Sequence, residues 1–139
     1  MFIEASVIFA IIKREEGYEE LVRRIETEKG QLFTSPMSRF EASVSLARQA
    51  ALKGQKPTSG DVAEWAGLVS AFLAEIKAKD ITITGSIGDG AILAAAQYGK
   101  TVGHPADLNF GDCFSYACAK AYRIELLYKG DDFSKTDLA

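Results

Sequence analysis

Four short apolar stretches, Phe2–Glu4, Gln31–Thr34, Ile81–Thr84 and Arg123–Tyr128, are separated by pairs of helical segments and never follow one another directly. That spacing is the strongest constraint on the fold. Antiparallel hairpins need consecutive strands joined by tight turns, whereas each connection here is long enough for a helical crossover. The order β-α-α-β-α-α-β-α-α-β therefore predicts an α/β fold, a short parallel sheet of about four strands flanked by helices. With 139 residues and no linker, repeat or low-complexity segment, the chain reads as a single domain over 1–139.

The helices are read from caps and spacing. Ala5–Ile12 carries Val7, Phe9, Ile11 and Ile12 as an apolar surface, and Tyr18–Lys29 turns Leu21, Val22 and Ile25 inward before Gly30 ends it. Ser35-Pro36 opens a third helix in which Phe40, Val44, Ala47 and Ala51 recur at helical spacing. Lys53–Gly60 reads as a loop. The clearest helix follows it, with Val62, Trp65, Ala66, Val69, Phe72, Leu73 and Ile76 on one stripe, where Trp65 is read as packing. Gly85-Ser86-Ile87-Gly88-Asp89-Gly90 matches neither G-x-G-x-x-G nor a P-loop and is read as a strand-to-helix turn, leading to a helix from about Ile87 to Tyr98. Asn109 is the N-cap of the next helix, which carries the apolar run Ala117 to Tyr122.

Composition narrows the function classes. A hydrophobic content of 47% and a charged content of 25% are ordinary globular values. The formal net charge of −3 gives no support to a broad polyanion-binding surface, though it leaves room for a local basic patch. Lys13, Arg14, Lys53 and Lys56 are candidate contacts to a nucleic-acid backbone, with solvated surface charge the preferred account of each. Cys113 and Cys118 lie on one helix and point apart, so they favour a reduced compartment over a disulfide. Two thiols and one histidine do not make a structural zinc site. The start of the chain lacks the features of a signal peptide and no apolar run reaches membrane-span length, so a cytoplasmic protein without a membrane partner is expected.

The acids carry the chemistry. Glu4 ends the first strand, Glu41 borders the apolar stripe of the third helix, Asp112 sits at the third position of the Asn109 helix, and Asp131-Asp132 follow the last strand. Ligands of open α/β sheets bind beyond the carboxyl ends of the strands. Each acid also has a plainer reading: a helix cap for Glu4, a rim charge for Glu41, a capping box for Asp112. Asp112 and Ser115 could instead project from the first helical turn into a polar site. Asp107 is preferred as a loop residue. Carboxylates gathered in one pocket raise one another's pKa unless a cation neutralises them, and a hard divalent ion with oxygen ligands, Mg²⁺ or Mn²⁺, is the natural complement.

Phe2-Ile3-Glu4-Ala5-Ser6, Ser35-Pro36 through Phe40-Glu41-Ala42, His104-Pro105 leading to Asn109-Phe110-Gly111-Asp112-Cys113, and Leu126-Leu127-Tyr128-Lys129-Gly130-Asp131-Asp132-Phe133 together resemble the PIN-domain ribonucleases, in particular the VapC-type toxins of bacterial toxin–antitoxin systems. The resemblance runs essentially end to end. It implies a metal-dependent endoribonuclease whose site is Glu4, Glu41, Asp112 and one of Asp131 or Asp132, with Asp132 preferred and Ser6 as the small hydroxyl near the metal. It also implies a homodimer, an RNA substrate, a cognate antitoxin, and products with 5′-phosphate and 3′-hydroxyl ends. Glu4 stands where the family pattern has Asp. The extra methylene predicts weakened or Mn²⁺-favoured catalysis, because Mg²⁺ is strict about octahedral geometry. Two other readings are open: a catalytically weak or inactive PIN fold that acts by binding antitoxin or RNA, and another divalent-metal phosphohydrolase on the same kind of sheet.

Overall fold

The computed structural model describes residues 1–139, and its elements alternate in the expected order. They are β1 (Phe2–Ile3), α1 (Ala5–Lys13), α2 (Tyr18–Thr27), β2 (Phe33–Thr34), α3 (Pro36–Ala50), α4 (Ser59–Glu75), β3 (Lys79–Asp80), α5 (Gly85–Tyr98), α6 (Phe110–Tyr122) and β4 (Leu126–Leu127). Short 3₁₀ turns occupy Lys100–Val102 and Asp132–Lys135. All strand pairs are parallel, in the order β3-β2-β1-β4. The chain builds outward from β1 through β2 to β3, then crosses to the other side of β1 for β4. The reversal of direction at β1 opens a crevice at the carboxyl ends of β1 and β4.

Strand alternation divides the core. Phe2 and Leu126 point to the face covered by α5 and α6, where Ile81, Ala94, Leu108, Tyr116, Cys118 and Phe133 are buried with them. Ile3 and Leu127 point to the opposite face and pack with Val7, Ile8, Leu21, Leu46, Val69 and Leu73 from α1, α2, α3 and α4. Two residues per strand suffice because each faces a different helical layer.

Caps set the helix starts. Ser35 Oγ accepts the Ser38 N–H at 3.1 Å and places Pro36 in the first turn of α3. Thr58 and Asp61 form a reciprocal capping box, so α4 begins at Ser59, inside the segment expected to be loop. The apolar stripe of α4 is only partly covered: Val69 and Leu73 are buried, while Trp65, Phe72 and Ile76 pack at the edge of the core.

Two expectations are corrected. The third strand lies at Lys79–Asp80 rather than Ile81–Thr84. Its partner β2 offers pairing only from Leu32 to Thr34: Lys79 N–H donates to the Leu32 carbonyl and Ile81 N–H to that of Thr34. Ile81 is fully buried and Ile83 packs at the edge of the same cluster, so their alternation reflects core packing beyond the end of the ladder. The Gly85–Gly90 segment is not a turn but the first half of α5, capped by the Thr84 hydroxyl on Ile87 N–H. Gly90 lies on the face of α5 that packs on α6, where an added Cβ would stand 3.4 Å from that of Ala117, within van der Waals contact. Cys113 and Cys118 are both buried and free, and no helix is long and apolar enough to cross a membrane.

Candidate active site

The end of each central strand hands the chain to a residue with side-chain chemistry. Glu4 N–H donates to the Leu127 carbonyl at 3.1 Å, the last rung between β1 and β4, and so fixes the backbone from which the Glu4 side chain departs. Glu4 is then the N-cap of α1, its Oε2 accepting the Ser6 N–H at 2.6 Å. Ser6 Oγ accepts the Lys129 N–H at 2.9 Å, tying the start of α1 to the segment after β4. On α6, Asp112 and Asn109 form the capping box: Asp112 Oδ2 accepts the Asn109 N–H at 2.8 Å, and Asn109 Oδ1 accepts that of Asp112 at 3.1 Å. Both plain readings, cap for Glu4 and capping box for Asp112, therefore hold. They do not exclude the other one.

Glu4, Glu41, Asp112 and Asp132 line a single cavity of about 320 Å³. Three different elements and the segment after β4 thus bring together four acids that are distant in sequence. Glu4 and Asp112 are buried, Glu41 half-buried and Asp132 exposed at the rim. The backbone N–H groups engage one carboxylate oxygen of each buried acid, Glu4 Oε2 and Asp112 Oδ2. Both residues line the cavity, which leaves their second oxygens, free of backbone bonds, on its wall.

Electrostatics record the crowding. Burial pushes Glu4 up to about 7; hydrogen bonds from Ser6 oppose this, and the charges of Asp112 and Glu41 add to it. Burial raises Glu41, with Asp112 contributing. Burial also raises Asp112 against the lowering effect of the Asn109 N–H, with Asp132 and Asp107 adding repulsion. As the side chains stand, no three of the acids converge on one point; they are spread around the cavity wall. Hard oxygen donors, two of the acids held on capped helix starts, are the donor chemistry that Mg²⁺ or Mn²⁺ takes.

Several candidates stand elsewhere. Asp131 stands just before the terminal 3₁₀ turn, makes no side-chain bond to it, and does not line the cavity. Gly130, at φ 104°, lets the chain double back between Lys129 and Asp132, while Phe133 is buried beside Tyr128. Ser115 faces away from the cavity, its Oγ 3.4 Å from that of Ser38 within the core. Asp107 lies exposed in a left-handed turn, 3.9 Å from Lys100. Lys13, Arg14, Lys53 and Lys56 all lie outside the cavity lining, and Lys13 sits over the Trp65 ring.

Other lining residues escaped sequence reasoning. Ser45 is one helical turn beyond Glu41, a signal the i, i+4 rule could have supplied. Lys129 is the only cationic side chain in the lining. Gly111 matters through what it lacks: a Cβ there would collide with Glu41 Oε2, so glycine at this position gives the carboxylate its place over the start of α6.

Comparison with known proteins supplies the family. The sequence model of the PIN domain matches residues 1–138. A VapC ribonuclease of Rhizobium meliloti is 46% identical over 139 residues, covering 99% of this chain and 98% of that protein. Ribonuclease VapC42 of Mycobacterium tuberculosis is 32% identical, over 99% of this chain and 96% of its own. Ribonuclease VapC of Mycolicibacterium smegmatis is 31% identical, over 100% and 98%. Relatives that match from end to end, on a parallel sheet that draws its acids into one crevice, leave one conclusion: the chain belongs to the PIN-domain family, among the VapC-type ribonucleases.

Proposed function

We propose that this chain is a divalent-metal-dependent endoribonuclease, the toxin of a toxin–antitoxin pair, and that Glu4, Glu41, Asp112 and Asp132 form its active site. The observation that carries the proposal is the single cavity lined by all four acids. A bound Mg²⁺ or Mn²⁺ would neutralise the acids, polarise the phosphodiester and supply an activated water. The chain's own contribution is placement. Glu4 and Asp112, each fixed through one carboxylate oxygen by a backbone N–H, present the other to the cavity. Glu41 is positioned by its seat over Gly111, and Asp132 by the burial of Phe133 beside it. Ala5, Phe9, Ala42 and Phe133 form the apolar part of the wall around these acids.

The alternative of a PIN fold that binds without cutting is not favoured, since the full-length relatives described above are all named ribonucleases. The expected products carry 5′-phosphate and 3′-hydroxyl ends. A cognate antitoxin and a homodimer belong to the same reading. Exposed Ile92, Leu93 and Phe110 provide apolar surface that such pairing would cover. Incubating purified protein with labelled RNA tests the proposal: cleavage in Mg²⁺ or Mn²⁺ that stops in EDTA supports it, and intact RNA under all conditions refutes it.

Two substitutions probe the placement. Gly111→Ala should lower cleavage by about 10-fold or more by pushing Glu41 aside, since a misplacement of about 1 Å can cost on the order of 10²-fold. Its melting temperature should change little, because what moves is the end of a flexible side chain; unchanged cleavage would refute the role of Gly111. Glu4→Asp should raise Mg²⁺-dependent cleavage, by up to about 10²-fold, if the extra methylene holds back the natural site. A rate equal to or below that of the natural protein would sink that idea.

A further inference from the structure

The acidic cavity has a mismatch of charge. Four carboxylates line it against one cation, Lys129. Even with a divalent ion in place the lining stays net negative, and an incoming RNA phosphate would add to the repulsion. A phosphodiester therefore needs a positive contact on the cavity wall. Lys129 is the only lining residue that can provide one.

Its surroundings show how it is held. The Lys129 backbone is anchored by its N–H bond to Ser6 Oγ, so the side chain departs from a fixed point beside Glu4. The ammonium lies 3.0 Å from Glu15 Oε2, and Glu15 is not part of the lining. The two side chains are 32% and 36% exposed, so the pair is partly hydrated and its partner exchangeable. Glu15 follows Arg14, which ends α1 in a left-handed conformation, and its N–H is fixed on the Ala10 carbonyl at 2.9 Å. The carboxylate thus projects from a pinned backbone at the far end of the helix that Glu4 begins.

We propose that Lys129 is the substrate-positioning residue that takes an RNA phosphate at the cavity, and that Glu15 competes with that phosphate for the ammonium. The proposal rests on the ribonuclease reading above. It assigns Lys129 to the backbone of the RNA and not to its bases, so its effect is the same for every sequence. Release from Glu15 exchanges one anionic partner for another, and a phosphate prevails because a bound metal ion and other RNA contacts hold it there as well.

Binding of a fluorescent single-stranded RNA, followed by anisotropy from low to high salt in an Asp112→Asn background, separates this claim from turnover. Lys129→Met, which keeps the apolar stem, should weaken binding by about 5–10-fold at low salt. It should also reduce the slope of log affinity against log salt by about 0.7, the loss of one phosphate contact to a single strand. Lys129→Arg should retain the slope. Glu15→Gln should tighten binding by about 2–5-fold when Lys129 is present and have no effect beside Lys129→Met, a non-additivity that general surface charge does not produce. Metal-dependent RNA cleavage by the natural protein is measured alongside. If the natural protein cleaves while Lys129→Met leaves affinity and slope unchanged, the proposal fails and the ribonuclease reading stands. If Lys129→Met removes the contact but no cleavage occurs with any metal, the ribonuclease reading fails and the phosphate contact stands. Glu15→Gln that tightens binding equally with and without Lys129 overturns the proposal outright.

Discussion

In the absence of divalent ions, the protein should lose stability as pH rises from about 5 to 8, and Glu4→Gln should remove much of that loss. Glu4 is buried and its pKa is raised from 4.5 to about 7. Between those values the folded chain holds a proton that the unfolded chain has released. The favourable contribution is therefore complete below 4.5 and is lost as pH climbs through 7. At about 1.4 kcal/mol per unit the shift corresponds to on the order of 3 kcal/mol. Glu41 and Asp112 are raised as well and act in the same direction. Glutamine can still accept the Ser6 N–H but carries no charge. At pH 8 in EDTA the variant should melt on the order of 10 °C above the natural protein, and near pH 4.5 the two should nearly coincide. Melting curves across that range check the expectation. Parallel pH profiles for the two proteins would show that Glu4 does not bear the crowding.

Asp112→Asn should leave the fold intact and reduce RNA cleavage by at least about 10²–10³-fold, the scale of losing one positioned group at a reacting centre. The amide oxygen can still accept the Asn109 N–H, so the capping box at the start of α6 survives in outline. What disappears is the charge at the oxygen facing the cavity. Asp131→Asn is the matched control: it removes an acid from the same motif at a residue that does not line the cavity, and should change cleavage by less than about 2-fold. Cleavage by Asp112→Asn within about 10-fold of the natural rate would remove Asp112 from the site.

The topology was legible because strand and helix signals alternate over the whole chain, and crossover connections admit few arrangements. Local boundaries were less so. Ile81 and Ile83 alternate as a strand would, yet the ladder ends at Ile81 because β2 ends at Thr34. Gly85, Gly88 and Gly90 look like a turn, but the Thr84 cap starts α5 at Gly85, and Gly90 packs against Ala117 of α6. These outcomes depend on the length of a neighbouring strand and the approach of a neighbouring helix, and a local window displays neither.

The acids show the same division. Their positions at element ends were visible in sequence, and the structure collects Glu4, Glu41, Asp112 and Asp132 around one cavity. Which of Asp131 and Asp132 faces it was not visible, because that depends on the left-handed turn at Gly130 and the burial of Phe133. Ser115 was placed toward the site from its position in the first helical turns, but its hydroxyl meets Ser38 in the core. Lys129 stood inside a recognisable motif without any pattern marking it as part of the lining. Its role follows from where β4 ends.

The central claim is that the four acids act together as one metal-holding site, and titration of the protein with Mn²⁺ followed by calorimetry or by the paramagnetic signal of the free ion tests it directly. Binding should be clear for the natural protein and for Asp131→Asn, and should weaken by about 10-fold or more for Asp112→Asn and Glu4→Gln. Asp112→Asn and Glu4→Gln proteins that take up Mn²⁺ as tightly as the natural chain would contradict it.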